Sequence, residues 1–282
     1  MRNKIINSAA VLALLFFAAR PACAQDTSSV VRPGFTKDDL ARAKANPRYY
    51  TLDTASVKTT LLGIEEEPDM KYVKLQEKPS DLNAVIVSLD SILNIAQKAW
   101  AIIQANSPVA NIETKYATAY PAGITAASQL SSWSKPKAYI YGFQAKNGYG
   151  SVMVNSQYKV IFTYGGSYKG IGKYLTGVTV IPTATSVSSG YKFNMTASVP
   201  DSTIVNVGTD SNPQAALQLK LAWKITTVLK ESDGNSMYYM QGDGLFEEMA
   251  SPFSKAEVKL EDMKSAAPLL LDPAKVFDVP AR

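Results

Sequence analysis

The residues best suited to meeting a ligand surround one glycine-rich stretch, Gly165-Gly166-Ser167-Tyr168-Lys169-Gly170-Ile171-Gly172. Tyr164 precedes it, and Lys173 and Tyr174 follow. Tyr149 stands in a second turn-like stretch, beside Asn147-Gly148. Tyrosine rings stack on sugar faces or settle at a membrane interface, and lysine ammonium groups meet anions. Tyr149, Tyr164, Tyr168, Lys169, Lys173 and Tyr174 therefore form the candidate ligand-binding set. The chemistry they offer is recognition rather than bond breaking. The competing reading of the same stretch is a flexible hairpin loop with no ligand. It fails as a nucleotide loop. Gly-x4-Gly-Lys-Ser/Thr would need a glycine where Ser167 stands and a hydroxyl residue where Tyr174 stands. Gly170-x-Gly172 also lacks the third glycine of a dinucleotide fingerprint and opens no helix.

Catalytic chemistry is narrowed by what the chain lacks. It has no histidine, and Cys23 is its single cysteine. Ser-His-Asp and Cys-His nucleophiles are excluded, as is ordinary zinc, copper or haem ligation. Carboxylate pairs, Ser-Lys chemistry and calcium bound through oxygen survive. Asp243, Glu247 and Glu248 lie close in sequence, but beside Gly242 and Gly244 they read as an exposed turn. Asp201 and Asp210 flank short loops, and Glu65-Glu66-Glu67-Pro68-Asp69 reads as a solvated turn without the oxygen spacing of a calcium loop. A glycosidase needs two carboxyls facing one another across a cleft, and no pair stands out for that role. The expectation is a protein that is not an enzyme, with no catalytic residue, metal or cofactor.

The first residues read as a targeting segment. Arg2 and Lys4 precede an apolar run from Ile5 to Ala19, and Ala22-Cys23-Ala24 fits the small-residue pattern before a cleavage point. A signal peptide over residues 1–24 implies export to a periplasm, a cell surface or the outside. Removing Arg2, Lys4 and Arg20 from 29 basic residues leaves 26 against 24 acidic ones, a net of +2. That field does not suit nucleic acid. The expected partner is a glycan or a protein, with a membrane surface as the alternative. A mature chain without cysteine forms no disulfides, so its core must hold it together.

The elements that would position the candidate residues are strands. Leu217 to Leu229 alternates strictly. Leu217, Leu219, Leu221, Trp223, Ile225, Thr227 and Leu229 fall on one face, and Gln218, Lys220, Ala222, Lys224, Thr226 and Val228 on the other. Burying its six apolar side chains is worth roughly 9–18 kcal/mol before entropy is charged. Tyr139, Tyr141 and Phe143 alternate, as do Tyr191, Phe193, Met195, Ala197 and Val199. Val152 to Tyr164 and Tyr174 to Ile181 supply further strands, and Asn147-Gly148 and Asp233-Gly234-Asn235 read as turns. Thr36 and Asp39 form a capping box for a short helix that Asn46-Pro47 stops. Val109 to Pro136 reads as irregular, with Trp133 as a plug over a core edge.

One long helix is expected over Ser80 to Ala105. Val85, Leu89, Ile92, Ala96, Ala99 and Ile103 make a stripe that Ile86, Leu93, Ile95, Trp100 and Ile102 widen. The fold class is thus mainly β: an antiparallel β-sandwich or jelly-roll-like domain with one long amphipathic helix packed on it. The expected organisation is a signal peptide (1–24), an N-terminal extension with a short helix and short strands (25–79), the helix-plus-sandwich domain (80–249), and a C-terminal tail (250–282). A helical turn is expected in that tail near Ala256 to Met263. Three functions follow. The first is an exported non-catalytic sandwich acting by binding or as a structural envelope component. The second is a membrane-active protein that inserts the helix, and the third is a carbohydrate-active enzyme.

Overall fold

The structure is a computed structural model that describes residues 31–69, 73–109 and 115–250. The signal peptide expected over residues 1–24 and the helical turn expected near Ala256 to Met263 both lie outside the described residues. Helix α1 (Lys37–Ala45) opens as its sequence dictates. Thr36 Oγ1 accepts from the Asp39 amide at 3.1 Å, and Asp39 Oδ2 accepts from the Thr36 amide at 2.8 Å.

Thirteen strands follow among the described residues: β1 (Leu52–Glu66), β2 (Ser88–Leu93), β3 (Ala99–Gln104), β4 (Ser107–Pro108), β5 (Ala117–Ala122), β6 (Lys137–Asn147), β7 (Val152–Tyr168), β8 (Ile171–Val187), β9 (Tyr191–Ser198), β10 (Val205–Asn206), β11 (Ala215–Thr227), β12 (Glu231–Gln241) and β13 (Phe246–Ala250). A six-stranded sheet runs β1-β6-β7-β8-β5-β2. A seven-stranded sheet runs β13-β12-β11-β9-β3-β4, with β10 beside the start of β11. The strand ladders are antiparallel, and the two sheets pack face to face as a β-sandwich.

The alternating stretch becomes β11. Leu217, Leu219, Leu221, Trp223, Ile225 and Thr227 are buried, while Lys224 is exposed. Burying one face against the other sheet fixes the register, because a slip of one residue would turn all six outward. Aromatic rings from both sheets interlock between them. Phe143 lies 5.0 Å from Phe193 and 5.5 Å from Trp223, and Tyr141 lies 5.0 Å from Tyr238. The Tyr158 and Tyr238 hydroxyls are hydrogen-bonded to one another at 2.8 Å in the centre.

The expected helix over Ser80 to Ala105 is not there. This stretch supplies β2 to the six-stranded sheet, paired with β5, and β3 to the seven-stranded sheet, paired with β9. Asn94 explains the break. Its side-chain oxygen accepts from the Ala96 amide at 3.1 Å and the Thr118 amide at 2.9 Å, which turns the chain between the two strands. The β-branched residues that widened the apparent stripe suit a pleated surface instead. Ile92, Ile102 and Ile103 are buried, and Ile86 is 93% exposed.

Three smaller expectations are also corrected. Val109 to Pro136 is not wholly irregular, because it contains β5, most of which is buried. Asp233-Gly234-Asn235 lies inside β12. The turn comes earlier, where the Thr227 amide donates to the Lys230 carbonyl at 2.8 Å. Gly234 is needed there for close approach, since a Cβ would stand 2.6 Å from the Trp223 ring. Glu65 and Glu66 belong to β1 rather than to a turn.

Candidate ligand-binding site

The glycine-rich stretch is mostly strand. Gly165 to Tyr168 ends β7, Ile171 to Lys173 begins β8, and Lys169 and Gly170 make the turn between them. Their φ angles of 52° and 81° give the two-residue left-handed turn that matches strand twist. This hairpin carries Tyr168, half-buried, with the exposed Lys169 ammonium 5.2 Å from its ring centroid. Lys173 is exposed as well. Its amide donates to the Pro213 carbonyl at 2.9 Å, which ties the hairpin to the start of the other sheet.

Tyr164 lies lower on β7. Its ring packs over Gly244, where a Cβ would come within 2.6 Å, and the Lys137 ammonium stands 5.1 Å from its centroid. A strap at residues 131–134 is laced to this end of β7. Ser131 and Ser167 exchange backbone hydrogen bonds at 2.8 Å, and the Ser134 amide donates to the Tyr164 carbonyl at 2.8 Å. The strap lays Trp133 flat on Gly166, a position that any side chain would block. The indole N–H donates to the Ala127 carbonyl at 3.0 Å, which holds the ring in one orientation.

Between strap and sheet lies an open groove of about 460 Å³. Glu66, Glu67, Trp133, Lys135, Lys137 and Tyr164 line it. Lys135 is ion-paired to Glu67. The groove thus presents two aromatic rings held by glycine contacts, beside charged groups of both signs. Such a surface can stack on the apolar face of a sugar while its charges bond to hydroxyls.

The six sequence-derived residues do not all meet. Tyr164, Tyr168, Lys169 and Lys173 gather at the β7–β8 end. Tyr174 is fully buried, and its hydroxyl donates to the Leu89 carbonyl at 2.9 Å. Burial pushes that phenol up to about 12. Tyr149 lies at the opposite end of the 17-residue β7, roughly 55 Å away at about 3.3 Å per residue. There its hydroxyl donates to Asn46 Oδ1 at 2.8 Å, and Arg48 lies over its ring at 5.1 Å. Sequence reasoning did not select Trp133, Lys135 or Lys137 as contacts. The available signal was a tryptophan and two lysines around Pro136, but nothing local shows that they border Tyr164.

Glu247 and Glu248 are adjacent in β13 and so point to opposite faces. Asp243 accepts from the Leu245 amide at 3.0 Å, and Asp201 is ion-paired to Lys98. Among the described residues no group of three or more His, Cys, Asp or Glu could hold a metal. Comparison of the chain with protein-family models, with curated proteins and with solved structures finds no match.

Proposed function

We propose that the protein is an exported, non-catalytic β-sandwich that works by binding, and that a glycan is the ligand class. One observation carries this reading. The groove sets the rings of Trp133 and Tyr164 beside Lys135, Lys137 and Glu67, with each ring positioned by a glycine contact or a hydrogen bond. Rings fixed before binding lose little freedom on meeting a ligand. The insertion alternative rests on the Ser80–Ala105 helix, and two strands in different sheets replace that helix. No helix among the described residues is long and apolar enough to cross a membrane.

The test is a glycan array on the full chain, followed by titration of the hits. Trp133 is half-buried, while Trp100 and Trp223 are 5% and 3% exposed, so quenching of tryptophan emission by ligand would report on Trp133. Lys135→Ala and Lys137→Ala should weaken binding at least tenfold with melting temperature unchanged. No glycan bound on the array, or binding that both variants leave intact, would overturn the assignment. Hydrolysis of a bound glycan would show an enzyme instead.

A further inference from the structure

The free edge of β1 has an occupant that the chain itself can supply. β1 closes one side of the six-stranded sheet, and among the described residues only β6 pairs with it. Its segment Thr59 to Ile64 carries no charge. Leu61 and Ile64 are 47% and 57% exposed. A long uncharged apolar edge is a template for another strand unless something covers it.

The two side chains face a particular place. Leu61 pairs opposite Tyr141, and Ile64 opposite Tyr139. Directly opposed residues share a face of the sheet. That face is the inner one, because Tyr141 packs on Tyr238 at 5.0 Å and Tyr139 stacks on Phe246 at 3.7 Å. Leu61 and Ile64 therefore border the side of the sandwich where the β1 edge stands over the β13 edge.

The chain leaves β13 at Ala250 on that same side, with residues 251–282 still to come. Glu257-Val258-Lys259-Leu260-Glu261 alternates polar and apolar residues, a pattern that also fits a strand with one covered face and competes with the helical turn expected over Ala256 to Met263. A strand of six residues needs only about 20 Å, well within the reach of such a segment. The N-terminal side is worse placed. Val31 packs with Phe35, Tyr50 and Val228, at the end of β1 where Leu52 pairs with Asn147.

We propose that residues 251–282 return to the sandwich as an added strand on the free edge of β1, with Val258 and Leu260 covering Leu61 and Ile64. The inference is independent of any ligand at the groove. Its test uses the full chain carrying Cys23→Ser. Leu61→Cys or Ile64→Cys is combined with Val258→Cys or Leu260→Cys, and the thiols are oxidised. At least one of the four pairs should form a disulfide within the monomer. Hydrogen exchange gives a second reading. Amides from Thr59 to Ile64 should exchange at least tenfold faster in a chain ending at Ala250 than in the full chain. Disulfides that form only between two chains would make a second copy the occupant and overturn the proposal. So would equal exchange in both chains, or failure of all four pairs to close. If the shortened chain does not fold, the cysteine pairs alone decide.

Discussion

At the scale of single residues, two glycines separate backbone freedom from side-chain space. Gly234 sits in β12 directly across from Trp223, and a Cβ there would stand 2.6 Å from a ring that is 3% exposed. The ring is wedged between sheets and cannot yield cheaply. Gly234→Ala should therefore cost about 1–3 kcal/mol, as overpacking in a core does. Gly63 in β1 is the control. A Cβ there meets nothing within 4 Å, and its φ lies outside the left-handed region. Gly63→Ala should be neutral or stabilise by up to about 1 kcal/mol. Denaturant melts of the two variants check both outcomes. The pair also shows why the Asp233-Gly234-Asn235 turn was misplaced. Asp-Gly is a turn signal by its neighbours in sequence, whereas the demand for glycine here comes from a residue eleven positions earlier on the adjacent strand. The candidate groove shows the same limit. Tyr164 is legible from composition, but Trp133 borders it only because the strap lays that ring on Gly166.

At the scale of elements, residues 80–105 offer a sharp test. A helix would place both Leu93 and Ile103 on its apolar surface, so an aspartate at either would be damaging. The strands separate them. Leu93 ends β2 and is 49% exposed, while Ile103 lies in β3 and is 1% exposed. Ile103→Asp buries a charge without a partner and should lower stability by more than about 4 kcal/mol. Leu93→Asp should stay within about 1 kcal/mol of the parent. Thermal melts of the two variants, side by side, discriminate the folds, and equal large losses would argue for the helix. The strands at Leu217–Leu229 and Tyr191–Val199 were legible because each alternates without interruption, and the capping box at Thr36 because its two bonds are three residues apart. Residues 80–105 were not legible. They are apolar at so many positions that period two and period 3.6 both find matches, and the turn that decides between them depends on Asn94 meeting Thr118 across the fold.

At the scale of the whole molecule, the core is tied to pH through tyrosine. Tyr120, Tyr141, Tyr158, Tyr174, Tyr191 and Tyr238 are all at most 2% exposed. Burial raises each phenol above its ordinary value, with Tyr174 held at about 12. Tyr116, itself buried, is likewise pushed up to about 12. A phenol whose folded value is raised keeps its proton longer in the folded state than in the unfolded one. Its contribution is fully present below the unfolded value of about 10 and is lost as pH rises from there towards the folded value. Each fully buried phenol then removes about 1.4 kcal/mol of stability per pH unit. Several acting together should exhaust a typical margin of about 5–15 kcal/mol within one or two units. With no histidine in the chain, stability should be nearly flat between pH 7 and 9 and should collapse above about 10. Tyrosinate absorbance should appear together with loss of circular dichroism, not before it. The Tyr158–Tyr238 hydrogen bond makes this specific. Tyr158→Phe leaves the Tyr238 hydroxyl buried without that partner and should cost about 1–3 kcal/mol at pH 7. Adding Tyr238→Phe removes the orphan hydroxyl, so the double variant should be more stable than the single one. It should also unfold at a higher pH than the parent, because two of the raised phenols are gone. A double variant that is less stable than Tyr158→Phe alone, or that unfolds at the parent's pH, would mean that the pair does not couple the core to alkaline unfolding.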